Sequence, residues 1–153
     1  PERNFLGFEV PRPGVGRLLN RADKAGVVNL KVSTDDAAET LAQSAMTPWI
    51  DSLYVLFPDP WHKARHHKRR LIQPAFLDML AGRMGAGARL RLATDWADYA
   101  EHMLAVCDAH PAFENVNGIG QQMPTADDRI ETKFERRGLR LGHTIADFDY
   151  RRV

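Results

Sequence analysis

Asp59 is an aspartate held between two prolines, and it stands directly before the densest run of positive charge in this sequence. Pro58 and Pro60 each fix a φ angle and remove a backbone N–H donor, so the chain between them follows one stiff, extended path. Trp61 follows at once. A carboxylate and an indole ring are therefore aimed by the same rigid segment, which we interpret as a candidate reaction centre.

Five lysines and arginines follow within eight residues, although the whole chain has a formal net charge of only +1. Such charges repel one another unless an anion neutralises them, and a nucleic-acid backbone is the commonest partner. A solvated basic loop is the alternative, and the position beside Asp59 favours the nucleic acid. The cations are Lys63, Arg65, Lys68, Arg69 and Arg70, with His62, His66 and His67 among them. These histidines do not predict a metal site, because neighbouring cations oppose a metal ion.

The elements that position these residues follow from the hydrophobic pattern. An apolar run with β-branched and aromatic members predicts a buried strand over 51–57, so Asp59 lies just past a strand end. Further strands are predicted at 4–10, 27–32, 88–93 and 143–150, and helices at 13–25, 35–45 and 73–84, with a fourth after Trp96. Alternating strands and helices predict a doubly wound, mostly parallel, Rossmann-like α/β sheet with a hairpin-like end, forming one domain over 1–153. In such sheets ligands bind beyond the carboxyl ends of the strands.

Four other carboxylates stand at predicted strand ends or helix starts. Glu9 is suited to accept hydrogen bonds from ribose hydroxyls, or it is only a strand-end glutamate. Asp35 and Asp36 are explained equally well as helix caps. Asp95 ends the strand next to that of Asp59, so it is either an N-cap or a substrate contact. Gly14-Val15-Gly16 lacks the third glycine and later acidic residue of a dinucleotide-binding loop, so we reject that reading.

The last third of the chain contains a T-x-x-E pattern, Thr132 to Glu135, typical of a helix capping box. The box explains both end residues without a ligand, although a helix N-terminus also offers free N–H groups to an anion. Before it, 117–129 has no periodicity and predicts a mobile loop. The Gly85-Ala86-Gly87 segment predicts a turn between the third helix and the fourth strand.

Composition sets the outer limits. A chain of 153 residues with 44% hydrophobic and 27% charged residues is ordinary globular material with room for one core. No apolar stretch approaches the ~20 residues that span a bilayer, and no signal-peptide pattern is present. The single cysteine, Cys107, excludes an internal disulfide and lies in a helical pattern that favours core packing. A reducing, cytoplasmic setting is expected.

The string from Phe57 to Arg70 resembles the central motif of the bacterial tRNA (guanine-N7-)-methyltransferases, F-P-D-P-W-x-K-x-R-H-x-K-R-R, at every specified position. The resemblance extends to GFEV at 7–10, RPGVG at 12–16, ATDW at 93–96 and TKFERRG at 132–138. It implies methyl transfer from S-adenosyl-L-methionine to N7 of a variable-loop guanine in tRNA, with no membrane partner and a monomer or homodimer as the working form.

The resemblance also implies a role for each matching residue. Asp59 is the implied catalytic residue and contacts the cofactor together with Glu9 and Asp36, which leaves Asp35 as the expected helix cap. The implied substrate-binding residues are Lys63, Asp95, Thr132, Lys133, Phe134 and Glu135. The implied RNA-binding residues are Arg65, His66, His67, Lys68, Arg69 and Arg70.

Two alternatives remain beside this reading. Asp59-Pro60-Trp61 also resembles the D/N-P-P-aromatic loop of enzymes that methylate exocyclic amines, but Trp61 replaces the second proline and the basic continuation favours guanine N7. The chain begins where the second strand of the family begins. We therefore expect an N-terminally truncated fold without the central first strand and its glycine-rich loop, and the alternative function is a catalytically inactive, RNA-binding fragment or remnant.

Overall fold

The computed structural model describes residues 3–124 and 131–153, and the chain forms two compact units, residues 1–44 and 45–153. Unit 1 contains β1 (Phe5–Phe8), α1 (Arg12–Lys24), β2 (Leu30–Ser33) and α2 (Ala37–Gln43). β1 and β2 pair in parallel, with Phe5 opposite Leu30 and Phe8 opposite Ser33. Both strands therefore end at the same edge of their sheet.

Unit 2 contains β3 (Ile50–Leu56), a 3₁₀ helix (Ala64–Arg69), α3 (Pro74–Ala81), β4 (Met84–Thr94), α4 (Ala97–Asp108), β5 (Phe113–Asn115), α5 (Lys133–Arg140) and β6 (Ala146–Arg152). Its sheet has the order β3-β4-β6-β5. β3 and β4 are parallel, whereas β6 runs antiparallel to both β4 and β5. β5 and β6 are antiparallel neighbours, but α5 lies between them in the chain, so the predicted hairpin-like end is not a hairpin of consecutive strands.

The hydrophobic core of unit 2 lies between its sheet and the helices α3 and α4. β4 alternates fully buried leucines with less buried arginines, which is the period-two pattern of a strand with one face on a core. The side chains at the centre of this core are Leu77, Leu80, Leu90, Leu92, Tyr99, Met103, Cys107, Phe148 and Tyr150. Burying each large apolar side chain stabilises the fold by roughly 1.5–3 kcal/mol. The position of α4 is therefore fixed by a well-packed core.

The structure corrects the predicted turn at Gly85-Ala86-Gly87. These residues lie inside β4, because pairing with β3 begins before them and resumes after them: Ile50 is opposite Met84 and Ser52 is opposite Arg89. The extra residues bulge out of the ladder, and Gly87 has a φ of 85° that glycine adopts without steric cost. A turn signal was thus read as the end of an element when it marks an irregularity within one.

Two other parts of the last third can be compared with the sequence. β5 was not predicted, because three residues are too few to show a strand pattern. In the predicted loop 117–129, Gly120 N donates to Asp108 Oδ2 (2.6 Å) and Met123 N donates to the Asp147 carbonyl (2.8 Å). Residues 125–129 of that loop lie outside the described residues. In the described ranges, no helix combines the length and the apolar character needed to cross a bilayer.

Candidate functional site

The proline-flanked aspartate lies where β3 leaves the sheet of unit 2. Phe57 N still donates to the Ala93 carbonyl (2.8 Å), and the chain then turns away. Phe57 and Trp61 both have left-handed backbone conformations, with φ of 53° and 47°. Asp59 is exposed, and its Oδ1 accepts a hydrogen bond from Trp61 N (3.2 Å). The stiff segment that the sequence predicts is therefore bent sharply at both ends, and each bend costs of order 1–3 kcal/mol unless its surroundings impose it.

Asp95 lies at the corresponding end of the neighbouring strand. Leu56 of β3 pairs with Ala93 of β4 in parallel register, so Asp59 and Asp95 both follow strands that end at one edge of the sheet. Asp95 is not the N-cap of α4, which begins at Ala97 after Trp96 and has no side-chain cap. The Asp95 carboxylate pairs instead with a ring nitrogen on a distant segment, His143 Nδ1, at 3.0 Å.

The same carboxylate packs against α5. A Cβ atom added to Gly138 would lie 2.7 Å from Asp95 Oδ2 and 2.9 Å from Asp95 Cβ, so only glycine lets the helix approach this closely. Asp95 thereby joins the end of β4 to α5 and to His143. The segment 132–135, predicted to bind substrate, begins this same helix, so the structure brings α5 to the edge of the sheet that carries Asp59.

Aromatic rings join the proline-flanked loop to Asp95. The ring of His62 lies 4.2 Å from that of Trp96, and the ring of Trp96 lies 6.1 Å from that of His143. The sequence pattern places His62 in a basic run and His143 at the start of a predicted strand. Their roles were missed because the partners are far apart in the chain, and no local spacing signals such a contact.

The predicted capping box at the start of α5 is confirmed. Thr132 Oγ1 accepts a hydrogen bond from Glu135 N (3.1 Å), and Glu135 Oε2 accepts one from Thr132 N (3.2 Å). Glu135 is buried, whereas Lys133 and Phe134 are exposed. The box therefore occupies the Thr132 hydroxyl and one Glu135 oxygen, and the side chains between them face the solvent.

The basic run divides into exposed cations and one buried cation. Lys63, Arg65, Lys68 and Arg69 are exposed on and around the 3₁₀ helix. The Arg69 guanidinium lies 5.0 Å from the centre of the Trp61 ring, and His66 meets that ring edge-on at 5.9 Å. A cation therefore lies beside the indole that follows Asp59, as a surface for an anionic, partly aromatic ligand requires.

Arg70 differs from these cations because its side chain is only 1% exposed. Its Nε donates to the Pro60 carbonyl (2.9 Å), and its Nη2 contacts both His67 Nε2 (3.0 Å) and the Asp98 carboxylate. The Arg70 hydrogen bond holds the pKa of Asp98 below its ordinary value. Of the residues predicted to bind RNA, Arg70 thus has its guanidinium engaged inside the protein.

The predicted cofactor residues Glu9 and Asp36 lie in unit 1, just beyond the ends of β1 and β2. Glu9 N donates to the Ser33 carbonyl (3.0 Å), which places the two strand ends side by side. Asp36 is the N-cap of α2, its Oδ1 accepting from Glu39 N (2.9 Å). The expected cap, Asp35, was wrong: its carboxylate accepts a hydrogen bond from Ser33 Oγ (2.7 Å) in the turn before the helix.

Carboxylates beyond adjacent parallel strands fit the hydroxyl and amine donors of a nucleoside, so the acceptor chemistry of unit 1 suits S-adenosyl-L-methionine. Gly14-Val15-Gly16 lies inside α1 rather than in a loop, in agreement with its rejection as a phosphate-binding motif. Within residues 3–124 and 131–153, no three histidine, cysteine or acidic side chains cluster in a way that could hold a metal ion.

Comparison with known sequences places the chain among methyltransferases. A family described as "Putative methyltransferase" matches residues 1–148. The tRNA (guanine-N(7)-)-methyltransferase of Halorhodospira halophila is 54% identical over 151 residues, which are 99% of this chain and 65% of that protein. The protein of the same name from Alkalilimnicola ehrlichii is 51% identical over 152 residues, 99% of this chain and 64% of its own length. The chain thus spans just under two thirds of these relatives.

Solved structures resemble the chain in fold. An rRNA methylase from Streptococcus thermophilus superposes with a TM-score of 0.61 at 13% identity, covering 98% of this chain and 74% of that one. A SAM-dependent O-methyltransferase from Thermotoga maritima superposes with a TM-score of 0.58 at 13% identity, covering 98% of this chain and 50% of that one. At such low identity the likeness concerns the fold alone, and it confirms the predicted Rossmann-like α/β methyltransferase fold.

Proposed function

We propose a function from the premise that the chain belongs to the methyltransferase family that matches residues 1–148. The function is transfer of a methyl group from S-adenosyl-L-methionine to N7 of a guanine in the variable loop of tRNA. The observation that carries the proposal is the edge of the unit 2 sheet, where Asp59 and Asp95 follow neighbouring parallel strands and the exposed cation Arg69 lies over the Trp61 ring. The relatives that are 54% and 51% identical to the chain are both named tRNA (guanine-N(7)-)-methyltransferase, which supports the proposal.

The chemistry of guanine N7 fits a site without a general base. N7 carries an in-plane lone pair and no proton, so it attacks an activated methyl group directly. S-adenosyl-L-methionine supplies that methyl group when it is bound. What the protein must contribute is alignment of the nucleotide, and correct positioning is worth several kcal/mol of the reaction barrier.

Asp59 is the residue that we propose to orient the guanine. Its carboxylate is exposed on a rigid loop, and two carboxylate oxygens can accept hydrogen bonds from the N1–H and the amino group on the donor edge of the base. The purine gains positive charge as N7 forms its new bond, and a nearby carboxylate stabilises that charge. Trp61 lies directly beside this carboxylate and borders the base.

The exposed cations are proposed to bind the tRNA backbone. Lys63, Arg65, Lys68 and Arg69 contact phosphates next to the target nucleotide, which supplies affinity and register but no sequence choice. At the other side of the edge, Lys133 and Phe134 on the first turn of α5 contact the target nucleotide. Asp95 holds this helix in place from the end of β4.

Glu9 and Asp36 are proposed to hold the ribose and the adenine of S-adenosyl-L-methionine. We further propose that residues 1–153 belong to one methyltransferase domain, which works on tRNA in the cytoplasm as a monomer or a homodimer. These roles are supported by the exposure of the Asp59 carboxylate and by the hydrogen bonds that fix the starts of α2 and α5.

The test uses two tRNA transcripts that differ at one atom. The protein is incubated with S-adenosyl-L-methionine labelled in its methyl group and either a normal transcript or one carrying 7-deazaguanine at the variable-loop position. Label is expected only in the normal transcript, because the deaza base has carbon in place of N7. Equal labelling of both transcripts would show that an atom other than N7 is methylated. No labelling of either would contradict the proposed transfer.

A further inference from the structure

We propose that Arg70 is a positioning residue, which fastens the Asp59–Trp61 loop to the start of α4, and not a phosphate contact. This inference rests on the proposed function for its catalytic consequence, but the fastening itself is a property of the free protein. The Arg70 side chain is 1% exposed, whereas the cations beside it in the chain, Lys68 and Arg69, are exposed. A buried guanidinium cannot reach a phosphate on the surface.

One end of the fastening is the loop itself. Pro58 and Pro60 have no N–H to donate, and Trp61 N donates within the loop to Asp59 Oδ1, so few backbone donors remain to hold the loop to the rest of unit 2. Arg70 Nε donates to the carbonyl of Pro60, which stands between Asp59 and Trp61, at 2.9 Å. Because Trp61 has a φ of 47°, a sparsely populated conformation for a non-glycine residue, the loop needs such an external restraint to keep its bend.

The other end is the first turn of α4. Arg70 Nη2 contacts the Asp98 carboxylate, and the guanidinium lies 4.8 Å from the centre of the Tyr99 ring. Tyr99 is fully buried, and its hydroxyl accepts a hydrogen bond from Ile72 N (3.2 Å). Arg70 thereby connects the loop to the core of unit 2 through α4, the helix that follows Asp95.

The contacts use the shape of arginine. The planar guanidinium directs separate N–H groups to the Pro60 carbonyl, to Asp98 and to His67 Nε2, whereas a lysine ammonium is a compact charge that cannot reproduce this fork. His67 also anchors the segment through its carbonyl, which accepts from Gln73 Nε2 (3.0 Å). Arg70→Lys therefore keeps the charge and removes the geometry.

The first measurement needs neither tRNA nor cofactor. The chain has three tryptophans, Trp49, Trp61 and Trp96, so incorporation of 5-fluorotryptophan gives three fluorine resonances, which single Trp→Phe variants assign. Arg70→Lys is expected to shift or split the Trp61 resonance and to leave that of Trp49 in place.

The matched control is Arg83→Lys, which changes another buried arginine of unit 2. Arg83 Nη1 donates to the Met79 carbonyl (2.8 Å), and the Arg83 carbonyl accepts from Trp49 N (2.9 Å). This control is expected to leave the Trp61 resonance in place, so general loss of a buried arginine is distinguished from loss of the fastening. An unmoved Trp61 resonance in Arg70→Lys would overturn the proposal.

The second measurement compares the salt dependence of tRNA binding. Lys68→Met is expected to reduce the slope of log affinity against log salt by about 0.7–0.9 for one lost phosphate contact. Arg70→Met is expected to leave the slope unchanged, and an equal reduction would show that Arg70 binds phosphate. Where methyl transfer is measured, Arg70→Lys should lower kcat by up to about 10²-fold with little change in tRNA affinity. Failure of transfer in the unaltered protein would contradict the function but not the fluorine result.

Discussion

At the scale of single residues, Asp59 and Asp95 follow neighbouring strands but have different surroundings. Asp59 is exposed, and its carboxylate accepts a hydrogen bond from Trp61 N in the same loop. Asp95 is partly buried, paired with His143 and packed on Gly138. These surroundings support the proposal that Asp59 contacts the ligand, and they show that Asp95 packs against α5, although the sequence alone makes the two carboxylates look equivalent.

Asp59→Ala should reduce methyl transfer by on the order of 10²-fold, because the group proposed to orient the base and to stabilise its positive charge is removed. The affinity for tRNA should stay within a few-fold, since the phosphate contacts lie on the basic run. Initial rates and binding titrations measure the two effects. Asp51→Ala, an exposed aspartate on β3, is the matched control. Normal turnover in Asp59→Ala would remove this residue from the catalytic role.

Gly138→Ala should destabilise unit 2 by roughly 1–3 kcal/mol, because the new Cβ would lie 2.7 Å from Asp95 Oδ2 and cannot fit without moving α5 or the carboxylate. The control is Gly16→Ala in α1, where the added Cβ meets no atom within 4 Å beyond its chain neighbours and the backbone of its own helix. That change should stabilise its helix by about 0.8–1 kcal/mol. Denaturant unfolding of both variants gives the comparison, and a stabilising Gly138→Ala would mean that α5 is not held against Asp95.

At the scale of elements, local signals were sufficient where the interactions are local. The T-x-x-E pattern predicted the capping box of α5 because its partners are three residues apart. The apolar run before Pro58 predicted β3 for the same reason. Partners distant in the chain left no such trace: Asp95 with His143, and Arg70 with Asp98. The site could therefore be located from the sequence, but the contacts that hold it together could not.

Thr132→Ala should destabilise α5 by about 1 kcal/mol, because the Glu135 N–H loses its acceptor at the helix start. Thr132→Ser keeps the hydroxyl and should be close to neutral. Circular dichroism melts of the pair measure the difference. If Thr132→Ala lowers methyl transfer more than Thr132→Ser while both remain folded under assay conditions, the cap matters for substrate binding as well as for the helix. Equal melting of the two variants would contradict the capping role.

At the scale of the whole molecule, the two units differ in how much apolar surface they bury. Among the described residues, Leu41 is the one hydrophobic side chain of unit 1 that is buried, whereas the rest of the buried hydrophobic residues belong to unit 2. Local stability follows buried apolar contacts, so the two units are expected to open with different free energies.

Amide hydrogen exchange followed by mass spectrometry should show this difference. Peptides from β1 and β2 should exchange at least about tenfold faster than peptides from β4 and β6, because a larger core must open before the latter exchange. Addition of S-adenosyl-L-methionine should slow exchange in unit 1, since a ligand stabilises the state that it binds. Equal protection of both units would contradict the difference in local stability.

The burial of Cys107 gives the molecule a single chemical reporter of its own opening. The side chain is fully buried in unit 2, and burial raises the pKa of its thiol to about 12. A thiol that stays protonated and covered does not react with iodoacetamide, so alkylation can proceed only from opened molecules. Since the sequence has one cysteine, the alkylation rate reports on one site, and the free energy of opening that it gives should match that from the slowest amides in β4. Above pH 9, the ordinary pKa of a thiol, Cys107 ionises in the opened chain but stays protonated in the closed one. Raising the pH should therefore lower the free energy of opening and speed alkylation.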